Sequence, residues 1–158
     1  MTGRLREDPL DPAAALEAVR EAGPATCVFA GTVREENRGR EVVSLTYEAH
    51  APLAERVLRE LEEETEAGEA VRRCRVLHRV GTLEVGEVSV IVAVAAEDEE
   101  AAAEAAERTM DELKERLPVW KEERYADGES RYLDGEPLRP GPGPEPSAGP
   151  DAPEGGAG

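Results

Sequence analysis

Apolar positions along the chain switch between two periods, and each switch marks an element. Thr26 to Val33 (TCVFAGTV) is a run of small, β-branched and apolar residues, which predicts a buried strand emptying into a charged loop from Arg34 to Glu41. Val42 to Ala49 alternates as a second strand would. The period then lengthens. Leu53, Val57, Leu58 and Leu61 recur at helical spacing, acidic residues fill the opposite face, and Gly68 supplies the stop after Ala67. Arg73 to Val80 and Glu87 to Ala95 read as two further strands, joined by Gly81 to Gly86.

Alanine and glutamate then dominate from Glu99 to Leu117 and predict a long helix, with Met110, Leu113 and Leu117 on its apolar side. Pro118 ends it, because the residue before a proline is pushed out of the helical region. Near the start, Asp11-Pro12 reads as an N-cap followed by a first-turn proline, opening a short helix from Ala13 to Glu21 that Gly23-Pro24 closes. Val119 to Tyr125 and Arg131 to Leu133 form a last hairpin around Asp127-Gly128. The order α β β α β β α β β predicts a mixed α+β domain over residues 1–136. From Pro137 to Gly158, 13 of 22 residues are proline or glycine, so this segment is expected to be a disordered tail that cannot offset its ordering entropy by burying apolar surface.

Charge narrows the partners. A formal net charge of −17 argues against nucleic acid and anionic membrane, which repel an acidic surface. The apolar run from Val88 to Ala96 is far short of a bilayer span and no secretory leader opens the chain, so a cytoplasmic protein is expected. Cys27 and Cys74 lie inside apolar runs without metal-ligand spacing and read as small core residues; no metal and no cofactor is expected.

The kind of positive charge says more than its amount. Of 19 basic residues, 17 are arginine, and the two lysines, Lys114 and Lys121, stand seven apart. A surface cation can drift to arginine at little cost, whereas an amine that must lose its proton cannot. Eleven of the basic residues gather in three segments: Arg34, Arg38 and Arg40; Arg72, Arg73, Arg75 and Arg79; Lys114, Arg116, Lys121 and Arg124. Such clusters can make a local pocket for a small anion in an acidic chain. For the second cluster, pairing with nearby glutamates is the simpler reading. Arg34 differs, because it follows a buried strand directly, where a rigid scaffold holds a loop side chain. His78 reads as structural, and His50 as a possible pocket neighbour.

Several ordered motifs then resemble one family. Phe29-Ala-Gly-Thr-Val-Arg34 followed by Asn37-Arg-Gly-Arg40, Tyr47-Glu-Ala-His50, His78-Arg-Val-Gly81 with Val85-Gly86-Glu87, and Met110-Asp-Glu-Leu-Lys114 running into Pro118-Val-Trp-Lys121-Glu-Glu123 are similar to the large, catalytic subunits of molybdopterin synthases. The resemblance covers about residues 10 to 135. It implies an α/β-hammerhead-like fold and a sulfurtransferase. It also implies a homodimer within a heterotetramer, completed by a small ubiquitin-like sulfur carrier with a C-terminal Gly-Gly thiocarboxylate. The implied reaction passes sulfur from that carrier to cyclic pyranopterin monophosphate, making molybdopterin for molybdenum cofactor biosynthesis. The family lysines fall on Lys114 and Lys121, as catalytic residues, and the pocket arginine on Arg34, with Arg38 and Arg40 as further substrate-binding candidates. The Gly155-Gly156 pair resembles a carrier's diglycine, but Ala157-Gly158 follows it where that chemistry needs a terminal carboxylate, so it reads as linker.

One stretch departs from the pattern. Where the family carries a His-Arg pair before the long helix, contributed to the substrate pocket across the dimer, this chain has Asp98 and Glu99. Acidic groups there repel a phosphate; in the simpler reading they begin a helix at its positive end. The alternative to the enzyme is therefore a non-catalytic, carrier-binding homologue of the same fold with an altered substrate site.

Overall fold

The computed structural model describes residues 3–133. The boundary expected at residue 136 and the segment from 137 to 158 lie outside the described residues. In chain order the elements are β1 (Leu5–Arg6), α1 (Pro12–Val19), a 3-10 turn (Arg20–Ala22), β2 (Ala25–Thr32), β3 (Glu36–Asn37), β4 (Arg40–Ala49), α2 (Ala51–Glu66), β5 (Val71–Arg79), β6 (Gly81–Glu84), β7 (Val88–Ala96), α3 (Glu99–Arg116), β8 (Val119–Tyr125) and β9 (Ser130–Leu133). The expected α+β class holds.

The first sheet has the order β1-β5-β7-β2, antiparallel except for the β1–β5 pair. Every residue of β7 from Ser89 to Ala96 is buried, because both faces of this strand are covered. Val90, Val92 and Val94 join the core that α2 and α3 build with Leu58, Leu61, Met110 and Leu113. Ile91, Ala93 and Ala95 face the other way, onto Ala15 and Val19 of α1. A continuous apolar run is what a strand buried on both sides requires.

In the second sheet β4 is central, pairing with β3, β6 and β8, and β8 continues to β9. Two of its strands lie where the sequence predicts loops. The Arg34 to Glu41 segment folds into a tight hairpin, with Asn37 opposite Arg40 and the turn made by Arg38 (φ 54°) and Gly39 (φ 81°). Two successive left-handed residues match the twist of a two-residue hairpin, and arginine is an uncommon occupant of the first. The Gly81 to Gly86 linker contributes β6, which pairs with β4 from Ser44 to Tyr47. Both strands are too short for periodicity to reveal them.

The acidic face expected on α2 also needs correction, since Glu62 is buried. Its Oε1 accepts from the Arg4 guanidinium (2.8 and 3.0 Å) and its Oε2 from the Val76 backbone (2.9 Å), while Glu55 accepts from the backbone of Arg4 and Leu5. These carboxylates hold the N-terminal strand β1 beside β5.

Candidate active site

Lys121 lies directly opposite Tyr47 in the β4–β8 ladder, with Glu123 opposite Leu45 and Val119 opposite Ala49. Opposed residues of an antiparallel pair share a face. Leu45 and Tyr47 are buried core residues, so Lys121 stands, half-buried, on the core-facing side of the sheet.

On the other side of Tyr47, β6 brings in the end of β5. The His78 ring meets the Tyr47 ring edge-on, with centroids 4.9 Å apart and planes at 90°. His78 is fully buried, and its Nδ1 lies 2.8 Å from the Arg79 carbonyl oxygen. A carbonyl only accepts, so the proton belongs on Nδ1 and Nε2 keeps its lone pair. That Nε2 has no hydrogen-bond partner among the described residues. Burial pushes the imidazole down to about 4, with the Lys121 charge acting in the same direction and the Arg79 carbonyl opposing. His78 is therefore structural, as expected, and neutral.

Arg34 follows β2, an edge strand that is not buried as its sequence predicts: every residue from Ala25 to Thr32 is at least partly exposed, and Phe29 is 43% exposed. Backbone bonds between Val33 and the β6–β7 turn (Val33 N to Glu87 O, 3.0 Å; Gly86 N to Val33 O, 2.9 Å) fix the strand end from which the exposed Arg34 projects. Burial raises the Tyr47 phenol above its ordinary value; the Ser89 hydroxyl beside it and the Arg34 charge pull it back, while Glu123 adds to the rise. Lys121 thus stands opposite a buried tyrosine whose phenol also senses the Arg34 charge. Lys114, half-buried, occupies the last turn of α3, which passes through Leu117 and Pro118 directly into β8.

The hairpin that follows Arg34 is locked onto β8. Glu123, buried and two residues along the same face from Lys121, accepts from Asn37 Nδ2 with both oxygens (2.9 Å each) and from the Tyr125 hydroxyl (2.6 Å). Burial first, then Glu123, pushes the Tyr125 phenol up to about 12. The Arg40 guanidinium lies 3.9 Å from the centre of the Tyr125 ring and donates to Asp127 (2.9 Å) and Glu129 (2.8 Å). Arg38 is exposed at the hairpin tip, and Arg40 binds these three partners.

Asp98 and Glu99 sit elsewhere in the chain. Asp98 caps α3, accepting from Ala101 N at 2.9 Å, and Glu99 follows in the first turn, beside a shallow depression lined by Pro24, Ala25 and Glu97 to Glu100. The β2–β7 ladder runs from Ala25 opposite Ala96 to Thr32 opposite Val88, so this end is about 23 Å, at about 3.3 Å per residue, from the end that carries Arg34. Within one copy of the chain, Asp98 and Glu99 lie at the opposite end of the β2–β7 ladder from Arg34.

Three arginines of the second cluster pair with glutamates as the simpler reading predicts, Arg72 with Glu97, Arg75 with Glu62 and Arg79 with Glu87, while Arg73 lies on the Ala18 carbonyl. Arg116 of the third cluster binds Glu64 and Glu112. His50 is exposed at the start of α2. Among the described residues no cluster of His, Cys, Asp or Glu is arranged for a metal ion, and no helix is long and apolar enough to cross a membrane. Sequence reasoning passed over Tyr47, Glu123 and Tyr125 as site residues. Tyr47 and Glu123 stood inside quoted motifs, but only pairing across strands shows what they touch.

Comparison with known proteins adds the family. Residues 5–116 match the family described as MoaE protein. A molybdopterin synthase catalytic subunit of Oryza sativa subsp. indica is 43% identical over 121 residues, covering 76% of this chain and 63% of the rice protein, so the chain spans less than two thirds of that relative. The crystal structure of a molybdopterin synthase from Staphylococcus aureus superposes with a TM-score of 0.76 at 29% identity, covering 84% of this chain and 96% of that one. A complex of subunits 1 and 2 of the molybdopterin-converting factor from Helicobacter pylori shares the fold, with a TM-score of 0.69 at 21% identity, over 85% of this chain and 93% of its own. The family match over most of the chain, the identity to the rice protein and the shared fold agree, and the chain belongs to the MoaE family.

Proposed function

We propose that this chain is the catalytic subunit of a molybdopterin synthase, passing sulfur from the thiocarboxylated C-terminus of a small ubiquitin-like carrier to cyclic pyranopterin monophosphate. The observation that carries the reading is the pairing of Lys121 with Tyr47 on the core-facing side of the sheet, with the Arg34 charge acting on the same tyrosine. A lysine amine can lose its proton, as a guanidinium cannot, and then serves as base or nucleophile. Lys114, at the end of α3, is its partner in proton traffic. Arg34 and Arg38 supply the guanidinium groups that grip phosphate through paired, charge-assisted hydrogen bonds.

The carrier is the protein partner, in the way that the Helicobacter pylori factor pairs two subunits. Two copies of this chain form the centre of the assembly, and the N-terminal end of α3 from one copy reaches the substrate pocket of the other. The acidic Asp98 and Glu99 then weaken the hold on phosphate, and they are the feature that favours the alternative, a carrier-binding homologue without turnover.

The test combines the chain with thiocarboxylated carrier and cyclic pyranopterin monophosphate and follows molybdopterin formation. Turnover that disappears in Lys121→Arg supports the enzyme. Tight carrier binding without any product establishes the alternative instead.

A further inference from the structure

Arg40 is held three ways at once: by Asp127, by Glu129 and by the face of Tyr125. Each contact alone is weak, because both carboxylates are largely exposed and surface pairs contribute little. Together they fix one guanidinium between the β3–β4 hairpin and the β8–β9 turn. The same hairpin is fixed a second time, where Asn37 Nδ2 donates to both oxygens of the buried Glu123, which also accepts from the Tyr125 hydroxyl. Tyr125 therefore serves both halves, with its ring under Arg40 and its hydroxyl on Glu123. Two backbone bonds close the frame, Val42 N to Glu35 O (3.0 Å) and Ala126 N to Glu41 O (2.9 Å).

Arg34 begins the segment so framed and Arg38 forms its tip, in a left-handed conformation that arginine rarely adopts. The anchor on Glu123 lies two residues, about 7 Å along the strand, from Lys121. We propose that Arg40 and Tyr125 are positioning residues: a clamp that sets the Arg34–Arg38 segment against the Lys121 strand, with Arg40 acting through the hairpin and not as a ligand of the substrate phosphate. The inference rests on the sulfur-transfer reading for its substrate, while the clamp itself is a property of the free chain.

The two roles of Arg40 predict opposite signs. Asp127→Asn with Glu129→Leu releases the guanidinium from both acids, and the asparagine keeps the oxygen that accepts from the backbone N–H of residue 129. A ligand set free binds the anion better, whereas a clamp set free loses it. The experiment titrates cyclic pyranopterin monophosphate into the full-length chain and measures KM and kcat with thiocarboxylated carrier. It also follows hydrogen exchange at the Val42 and Ala126 amides without substrate.

The expected result is a three- to tenfold rise in KM in the released variant and the same rise in Arg40→Leu, with no further loss when the two are combined. kcat should stay within about twofold, since Lys121 is untouched, and Val42 should exchange at least tenfold faster in each variant. Tighter binding on release, or a full additional loss from Arg40→Leu in the released background, overturns the clamp and makes Arg40 a ligand. Should the wild-type chain fail to bind the pyranopterin, the functional reading falls, and unchanged Val42 exchange in Arg40→Leu would overturn the clamp by itself.

Discussion

Tyr47 meets His78 edge to face at 4.9 Å and lies opposite Lys121 in the β4–β8 ladder, so an uncharged imidazole packs against the residue that faces the proposed reacting amine. Its neutrality follows from burial, and has a thermodynamic consequence.

A histidine whose folded pKa lies below its ordinary value disfavours the folded state as pH falls. Between about 6.5 and about 4 the unfolded chain takes up a proton that the folded chain refuses, so stability declines through that window and the decline levels off below it. The contribution is on the order of 3 kcal/mol. His78→Phe keeps a ring against Tyr47 and removes the titration. Denaturant unfolding at a series of pH values should show a shallower acid slope in the variant, and identical slopes would place the proton uptake elsewhere.

Lys121→Arg keeps the charge and removes the amine that can lose a proton. Sulfur transfer should fall by a factor of about 100 or more, the span of a lost acid–base group, while carrier binding and Tm stay near wild type. Turnover like that of the wild type would take lysine chemistry out of the mechanism.

Asp98 has a structural duty that its charge conceals, since it caps α3 through Ala101 N. Asp98→Ala should cost about 1 kcal/mol and a few degrees of Tm, whereas Asp98→Asn keeps the acceptor and costs little. Asp98→Asn together with Glu99→Arg removes one negative charge and reverses another. A single like-charge contact at about 5 Å costs on the order of 3 kcal/mol at an effective dielectric near 20, before screening. This pair should tighten binding of cyclic pyranopterin monophosphate about tenfold or more, read by titration. Unchanged affinity means that the two residues do not face the substrate.

Gly23 is required by close approach, because a Cβ built there would stand 2.7 Å from the Ala96 carbonyl oxygen. Backbone cannot step aside as a side-chain tip can. Gly23→Ala should therefore destabilise the chain by about 1 to 3 kcal/mol in thermal or denaturant unfolding, and a neutral result would mean that the start of β2 can move away from β7.

Local chemistry sufficed for the long elements and for the family. The apolar run of β7, the helical spacing of Leu58 and Leu61, the stop at Pro118 and the pairing of Lys114 with Lys121 are each visible in neighbouring residues, since burial period, capping and backbone sterics act over a few positions. The strands β1, β3 and β6 are stabilised by partners distant in the chain: Glu55 and Glu62 for β1, the first residues of β4 and Glu123 for β3, and Ser44 to Tyr47 for β6. The same holds for the site. Sequence marks Arg34 and Lys121 as unusual, but that Lys121 faces Tyr47 comes from a strand register joining positions 47 and 121. Whether an arginine in an acidic chain faces solvent, a carboxylate or an aromatic ring is likewise decided by distant segments, and for Arg40 the decision was made by Tyr125, Asp127 and Glu129. Hydrogen bonds and ion pairs act over a few ångströms of space, and only the folded chain brings residues more than eighty positions apart within that reach.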